Sequence, residues 1–130
     1  MSVLLDSSFL IAYCNSREKD HVRAVELAKE LETDSFGERI ISDYIFDETI
    51  TILKKYLGNK QATENGSKFL ASTRFVKIDS LAFALSWELS KKFDVLSFTD
   101  CTNIAVMKHY NINYLSTFDS GFDGVVKVLR

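Results

Sequence analysis

The sequence predicts a three-layer α/β/α protein, with helices on both faces of a central, mainly parallel sheet. Three observations lead there. Short apolar runs alternate with longer stretches of helical periodicity from one end of the chain to the other, and strands that alternate with helices build parallel sheets. The first run, Val3-Leu4-Leu5, is apolar throughout, as a strand buried by its neighbours is. The composition, 130 residues with 46% hydrophobic and 26% charged, is that of an ordinary globular chain, enough for one domain over residues 1–130 with a real core.

The elements follow in order. Asp6 ends the first run, and Asp6-Ser7-Ser8 offers helix-capping side chains before Phe9-Leu10-Ile11-Ala12-Tyr13. Residues 18–33 form an amphipathic helix whose apolar members are Val22, Val25, Leu27, Ala28 and Leu31. Arg39-Ile40-Ile41 is a second strand, ending at Ser42, and a helix over residues 43–57 follows. Gly58-Asn59 closes that helix, and the next covers residues 60–72. Phe75-Val76-Lys77-Ile78 is a third strand; Asp79-Ser80 caps a helix over residues 81–92. Thr99 or Asp100 caps another, which ends near Tyr110. Asn113-Tyr114-Leu115 is the fourth strand and runs out at Ser116-Thr117-Phe118-Asp119, and residues 125–129 make a last one. Trp87 and the ten phenylalanines are assigned to the core. There is no repeat, linker or low-complexity tract, and proline is absent.

Charge narrows the function. The net charge is -2, whereas a protein that holds nucleic acid by charge alone is usually basic. A nucleic-acid ligand therefore needs another source of positive charge, and a divalent cation is the obvious one. No apolar run approaches the roughly 20 residues of a membrane span, and Met-Ser-Val-Leu-Leu-Asp is no signal peptide, so a cytoplasmic location without membrane contact is expected. Cys14 and Cys101 lie in no metal-binding pattern and read as buried free thiols.

Four acids stand among apolar residues: Asp6, Glu48, Asp100 and Asp119. Asp6 and Asp119 each follow a strand, which places both at the carboxyl edge of the sheet, where open parallel sheets bind ligands. Each acid also has a plainer reading, which for Glu48 is solvated surface. Asp6 and Asp100 are helix caps, and Asp119 belongs to an Asp-Ser-Gly turn, with Asp123 as its rival. On a helical wheel Glu48 falls roughly 40° outside the apolar face of residues 45–57, and Asp47 roughly 60° outside its other edge, which favours Glu48 for a cleft. Converging carboxylates repel one another unless a hard cation such as Mg²⁺ or Mn²⁺ lies among them. Such an ion activates water and screens a leaving oxygen in phosphodiester hydrolysis.

Together these segments resemble the PIN-domain nucleases, including the VapC-type toxins of toxin–antitoxin pairs. Leu4-Leu5-Asp6-Ser7-Ser8-Phe9-Leu10-Ile11-Ala12 is similar to the family's first motif and Ser42-Asp43-Tyr44-Ile45-Phe46-Asp47-Glu48-Thr49 to its second. Ser97-Phe98-Thr99-Asp100-Cys101-Thr102-Asn103 is similar to the third and Thr117-Phe118-Asp119-Ser120-Gly121-Phe122 to the fourth, in which Ser120-Gly121 replaces a commonly charged residue. The resemblance runs from Val3 to about Val126. It implies that Asp6, Glu48, Asp100 and Asp119 are catalytic and hold the metal, that the ion is Mg²⁺ or Mn²⁺, and that the substrate is single-stranded RNA. For the toxin branch it also implies a homodimer and an antitoxin protein partner. An RNA-processing nuclease outside a toxin–antitoxin pair and an inactive PIN-fold binding module are the alternatives. Ser8 argues against a haloacid-dehalogenase phosphatase, which needs a second Asp there, and Ser7 and Ser116-Thr117 argue against a receiver domain.

His21 and His109 open and close helices and are expected at the surface. Lys54, Lys55, Lys60, Lys91 and Lys92 are expected on solvated faces, with Lys54 or Lys55 the best candidate to approach phosphate. Ser7, Thr99, Thr102 and Thr117 have oxygens that either orient the carboxylates or cap helices.

Overall fold

A computed structural model describes the whole chain, Met1–Arg130. Its five strands are β1 (Ser2–Leu5), β2 (Glu38–Ser42), β3 (Arg74–Val76), β4 (Tyr114–Ser116) and β5 (Val128–Leu129). Its six helices are α1 (Ser7–Cys14), α2 (His21–Leu31), α3 (Asp43–Leu57), α4 (Asn59–Ser72), α5 (Ser80–Lys92) and α6 (Phe98–His109), with one 3-10 turn at Ser120–Phe122. The sheet order is β3-β2-β1-β4-β5, and every pairing is parallel, as the alternating pattern predicts.

β1 lies in the middle, and its Val3 and Leu4 are fully buried with Ile41 and Leu115 of the flanking strands. α6 is buried over every residue from Cys101 to Met107, which explains why its sequence is apolar on most sides. It ends in a Schellman turn: Asn111 has φ 54°, and the Ile112 N–H reaches back to the Met107 carbonyl at 2.8 Å. α3 and α4 approach closely at Gly66, where a Cβ would stand 2.8 Å from Ile50 Cδ1.

Several expectations are corrected. Ser97, not Thr99 or Asp100, is the N-cap of α6, and its hydroxyl accepts from the Asp100 N–H. The last strand shrinks to Val128–Leu129. Gly124 has φ 77°, and the Val125 and Val126 N–H groups turn back onto the Phe122 carbonyl. β3 stops at Val76, because Asp43 Oδ1 takes the Ile78 N–H at 3.0 Å. The helix expected over 18–33 is shorter, His21–Leu31. The aromatic residues are not all core. Trp87 is 54% exposed, Phe83 and Phe75 are exposed as well, and only Phe9, Phe69 and Phe122 are buried. α5 meets α6 through Ala82, Ser86 and Leu89, so Phe83 and Trp87 turn outward. Cys101 is buried, and Cys14 is half-buried with its thiol pushed up to about 12 by that burial.

Candidate functional site

The connections run from β1 outward through β2 to β3, then cross to β4 on the other side of β1. The crevice between the carboxyl ends of β1 and β4 is therefore the switch point of the sheet, the usual ligand position in such folds. Leu5 pairs with Ser116, and the next N–H, that of Asp6, donates to the Ser116 carbonyl at 3.0 Å. This brings Asp6 beside Thr117 despite their separation in sequence.

Asp6 occupies the N-cap position of α1, but its side chain makes no capping bond. Its carboxylate is 3% exposed and faces inward to three neutral donors. Asn103 Nδ2 donates to Oδ1 at 3.0 Å, and Thr117 Oγ1 and Ser8 Oγ donate to Oδ2 at 2.7 and 2.9 Å. Both hydroxyls in turn accept backbone N–H groups: Phe118 N–H to Ser8 and Asp119 N–H to Thr117, each at 3.0 Å. These bonds leave the hydroxyl protons to Asp6, which anchors its Oδ2.

Asp100 sits in the first turn of α6. Its Oδ2 accepts the Ser97 N–H at 3.1 Å, closing a capping box. Burial pushes the Asp100 carboxyl above its ordinary range, the Ser97 hydrogen bonds pull it back, and the charges of Asp119 and Asp6 raise it again. Asp100 thus lies within the field of both other acids. Asp119 is exposed, and its Oδ1 accepts the Gly121 N–H at 2.8 Å, the expected turn. Its rival Asp123 is ion-paired with Arg130. Glu48 is half-buried and accepts the Ser7 hydroxyl at 2.7 Å, whereas Asp47 is exposed. Glu48, Asp47, Tyr44, Thr51, Ile52 and Thr99 border a groove of about 310 Å³. None of the ion pairs involves Asp6, Glu48, Asp100 or Asp119.

The PIN-domain family model matches residues 3–128. The chain belongs to the PIN-domain family. Solved structures share the fold. The toxin VapC20 from Mycobacterium tuberculosis, described as cleaving the sarcin–ricin loop, superimposes with a TM-score of 0.84 at 24% identity, over 95% of this chain and 94% of that one. VapBC2 from Rickettsia felis, bound to a DNA fragment of its promoter, gives 0.71 at 16% identity over 99% and 98%. A toxin–antitoxin complex from Klebsiella pneumoniae gives 0.70 at 19% over 98% and 96%. A comparison with curated proteins found no match.

In this PIN domain no three Asp, Glu, His or Cys side chains come close enough to enclose an ion directly. The donor set nevertheless suits a hard cation that keeps several waters and takes one or two carboxylates, as Mg²⁺ does. The acids are uncompensated by any Lys or Arg, and neither histidine competes for the ion. His21 Nδ1 contacts the Ala12 carbonyl at 2.7 Å, and His109 Nε2 stands 3.5 Å from Asp79.

Of the expected supporting oxygens, Ser7 and Thr117 serve carboxylates, and Thr99 borders the Glu48 groove. Thr102 does not serve one, since it donates to the Thr99 carbonyl of its own helix at 2.6 Å. Sequence reasoning passed over Ser8 and Asn103. The available signal for Asn103 is its place three residues after Asp100, an amide in an otherwise apolar helical run.

Proposed function

We propose that this PIN domain is a divalent-metal-dependent endoribonuclease that hydrolyses phosphodiester bonds of single-stranded RNA, acting as the toxin of a toxin–antitoxin pair. The observation that carries the reading is Asp6. A carboxylate this deeply buried without a cationic partner is costly, and a bound cation removes the cost. Asp6, Asp100, Asp119 and Glu48 are assigned to hold Mg²⁺ or Mn²⁺ and to act in catalysis. When bound, such an ion makes a water nucleophilic near neutral pH and screens charge on the leaving oxygen.

The chain's own residues prepare that chemistry. Thr117, Ser8 and Asn103 orient Asp6, Ser97 anchors Asp100, and Ser7 turns Glu48 toward the site. Each donor is neutral, so each orients a carboxylate without cancelling its charge. The groove beside Glu48 offers a path for an extended strand, and its acids repel phosphate until a cation is present.

An antitoxin partner is supported by the toxin–antitoxin complexes among the structural relatives. A homodimer is supported by the outward face of α5, where Leu81, Phe83 and Trp87 are exposed and Phe83 and Trp87 pack edge-on to Phe98. No helix is long and apolar enough to cross a membrane, in keeping with the proposed cytoplasmic location.

The test is cleavage of a single-stranded RNA by the purified chain with Mn²⁺ and with excess EDTA. Cleavage only with Mn²⁺ supports the reading, and undiminished cleavage in EDTA overturns it. Induced expression in a bacterial host should halt growth. An active nuclease that leaves growth unaffected is an RNA-processing enzyme rather than a toxin.

A further inference from the structure

Asn103 is fully buried at the middle of α6, one turn beyond Asp100. Its Nδ2 donates to Asp6 Oδ1 at 3.0 Å, and its Oδ1 has no hydrogen-bond partner. The orientation of the amide is dictated by chemistry, because the reverse one would set a carbonyl oxygen against a buried carboxylate. The orphaned Oδ1 is therefore an inherent consequence of serving Asp6. An unsatisfied buried polar atom costs about 1–3 kcal/mol, and the surrounding residues Ile104, Val106 and Met107 show that an apolar side chain suits this helix. Stability alone does not account for an asparagine here.

Its effect on Asp6 does. The two hydroxyl donors both fall on Oδ2, so Asn103 is the sole side-chain donor to Oδ1. It fixes that oxygen while leaving it a lone pair. A lysine or arginine at this position would neutralise Asp6, and an apolar residue would leave the carboxylate to rotate about its remaining anchor. The geometry points to Asn103 as the positioning residue that presents Asp6 Oδ1 to a hard divalent cation, an inference that rests on the proposed metal-dependent reading of the site. Residues that orient a metal ligand in this way typically contribute 10–100-fold to metal affinity.

The experiment is calorimetric titration of the metal-free protein with Mn²⁺, for the wild type, Asn103→Leu, Asn103→Ser and the neighbouring control Thr102→Val, alongside thermal unfolding in EDTA. Asn103→Leu keeps the shape and removes the donor. Asn103→Ser shortens the side chain and withdraws the amide from Asp6 Oδ1, and stands in should the leucine fail to fold. The expected result is a folded variant whose Mn²⁺ dissociation constant rises roughly 10–100-fold, with RNA cleavage recovering as Mn²⁺ is raised, and a Thr102→Val control unchanged. Thermal unfolding in EDTA separates positioning from damaged folding, because bound Mn²⁺ would itself stabilise the folded state. An unchanged dissociation constant in a folded Asn103 variant overturns the assignment, and failure of both variants to fold assigns Asn103 to the fold instead. A wild type that binds no Mn²⁺ overturns the metal reading itself, independently of Asn103.

Discussion

At the scale of single residues, Asp6 and Asp100 respond differently to removal of charge. In Asp6→Asn the new carbonyl keeps Thr117 and Ser8, while the new amide faces Asn103. A turn of the Asn103 amide then lets its Oδ1 accept from the new amide and leaves Nδ2 in the position without a partner, so the count of unpartnered groups is unchanged and a buried charge disappears. Metal-free Asp6→Asn should unfold above the wild type, by about 1–2 kcal/mol, while cleavage falls on the order of 100-fold or more. Thermal unfolding in EDTA and an RNA cleavage assay measure the two effects, and an Asp6→Asn that melts well below wild type sinks the account of Asp6. For Asp100 the burial of the carboxyl, with Asp119 and Asp6 nearby, raises its folded pKa above the ordinary carboxylate range. The folded state then binds the proton more tightly than the unfolded state. The ionised group costs stability at neutral pH, and this cost fades as pH falls through the raised folded pKa. Asp100→Asn keeps an acceptor for the Ser97 N–H and removes the repulsion. Metal-free Asp100→Asn should therefore exceed wild-type stability at pH 7, with the advantage shrinking on acidification. Urea midpoints at neutral pH and at about pH 4 check this, and an advantage that grows on acidification contradicts the sign.

At the scale of elements, the amino ends of α3 and α6 aim the acids. Ser97 caps α6 and binds both ends of the Asp100 backbone–carboxylate unit. Ser97→Ala should cost about 1 kcal/mol, a fall in Tm of roughly 3–5 °C for a domain of this size, with only a small loss of cleavage because the backbone N–H of residue 97 still anchors Asp100 Oδ2. Differential scanning calorimetry and the cleavage assay read both, and an unchanged Tm refutes the cap. α3 carries two adjacent acids on different faces. Only Glu48 is tied to α1, through Ser7. Glu48→Gln should reduce cleavage on the order of 100-fold and Asp47→Asn only a few-fold. Equal losses would show that the groove needs both charges.

At the scale of the whole molecule, the placement of β1 between β2 and β4 creates one crevice from segments at both ends of the chain. The same arrangement leaves α5 on the outside, with its inner face spent on α6 and Trp87 turned to solvent. Contiguous exposed aromatic surface marks association sites. Trp87→Glu should convert a homodimer to monomer in sedimentation velocity while leaving the fold intact, since a residue half exposed carries little of the core. A wild type that sediments as monomer at micromolar concentration rules out the dimer.

The order of strands and helices was legible because it depends on local pattern: apolar runs, helical periodicity and polar breaks such as Asp79 and Gly58. The four acids stood out as candidates because apolar residues surround them, Asp6, Asp100 and Asp119 near the ends of elements and Glu48 at the edge of a helix's apolar face. What remained open turned on groups brought together from afar. Asp6 reads as a cap from its neighbours, yet its side chain is claimed by Asn103 and Thr117, 97 and 111 residues away. The wheel left Asp47 and Glu48 nearly level, and a hydroxyl on another helix, Ser7, distinguishes them. Asp123 competed with Asp119 until Arg130 paired with it. Helical periodicity finds an apolar residue but not the side on which a partner lies, so Trp87 reads as core in sequence and stands at the surface in the fold. The sequence by itself determined which elements form and which acids flank them. The tertiary structure decided which carboxylates keep an unpaired charge, because donors and counter-ions act through space and are not ordered along the chain.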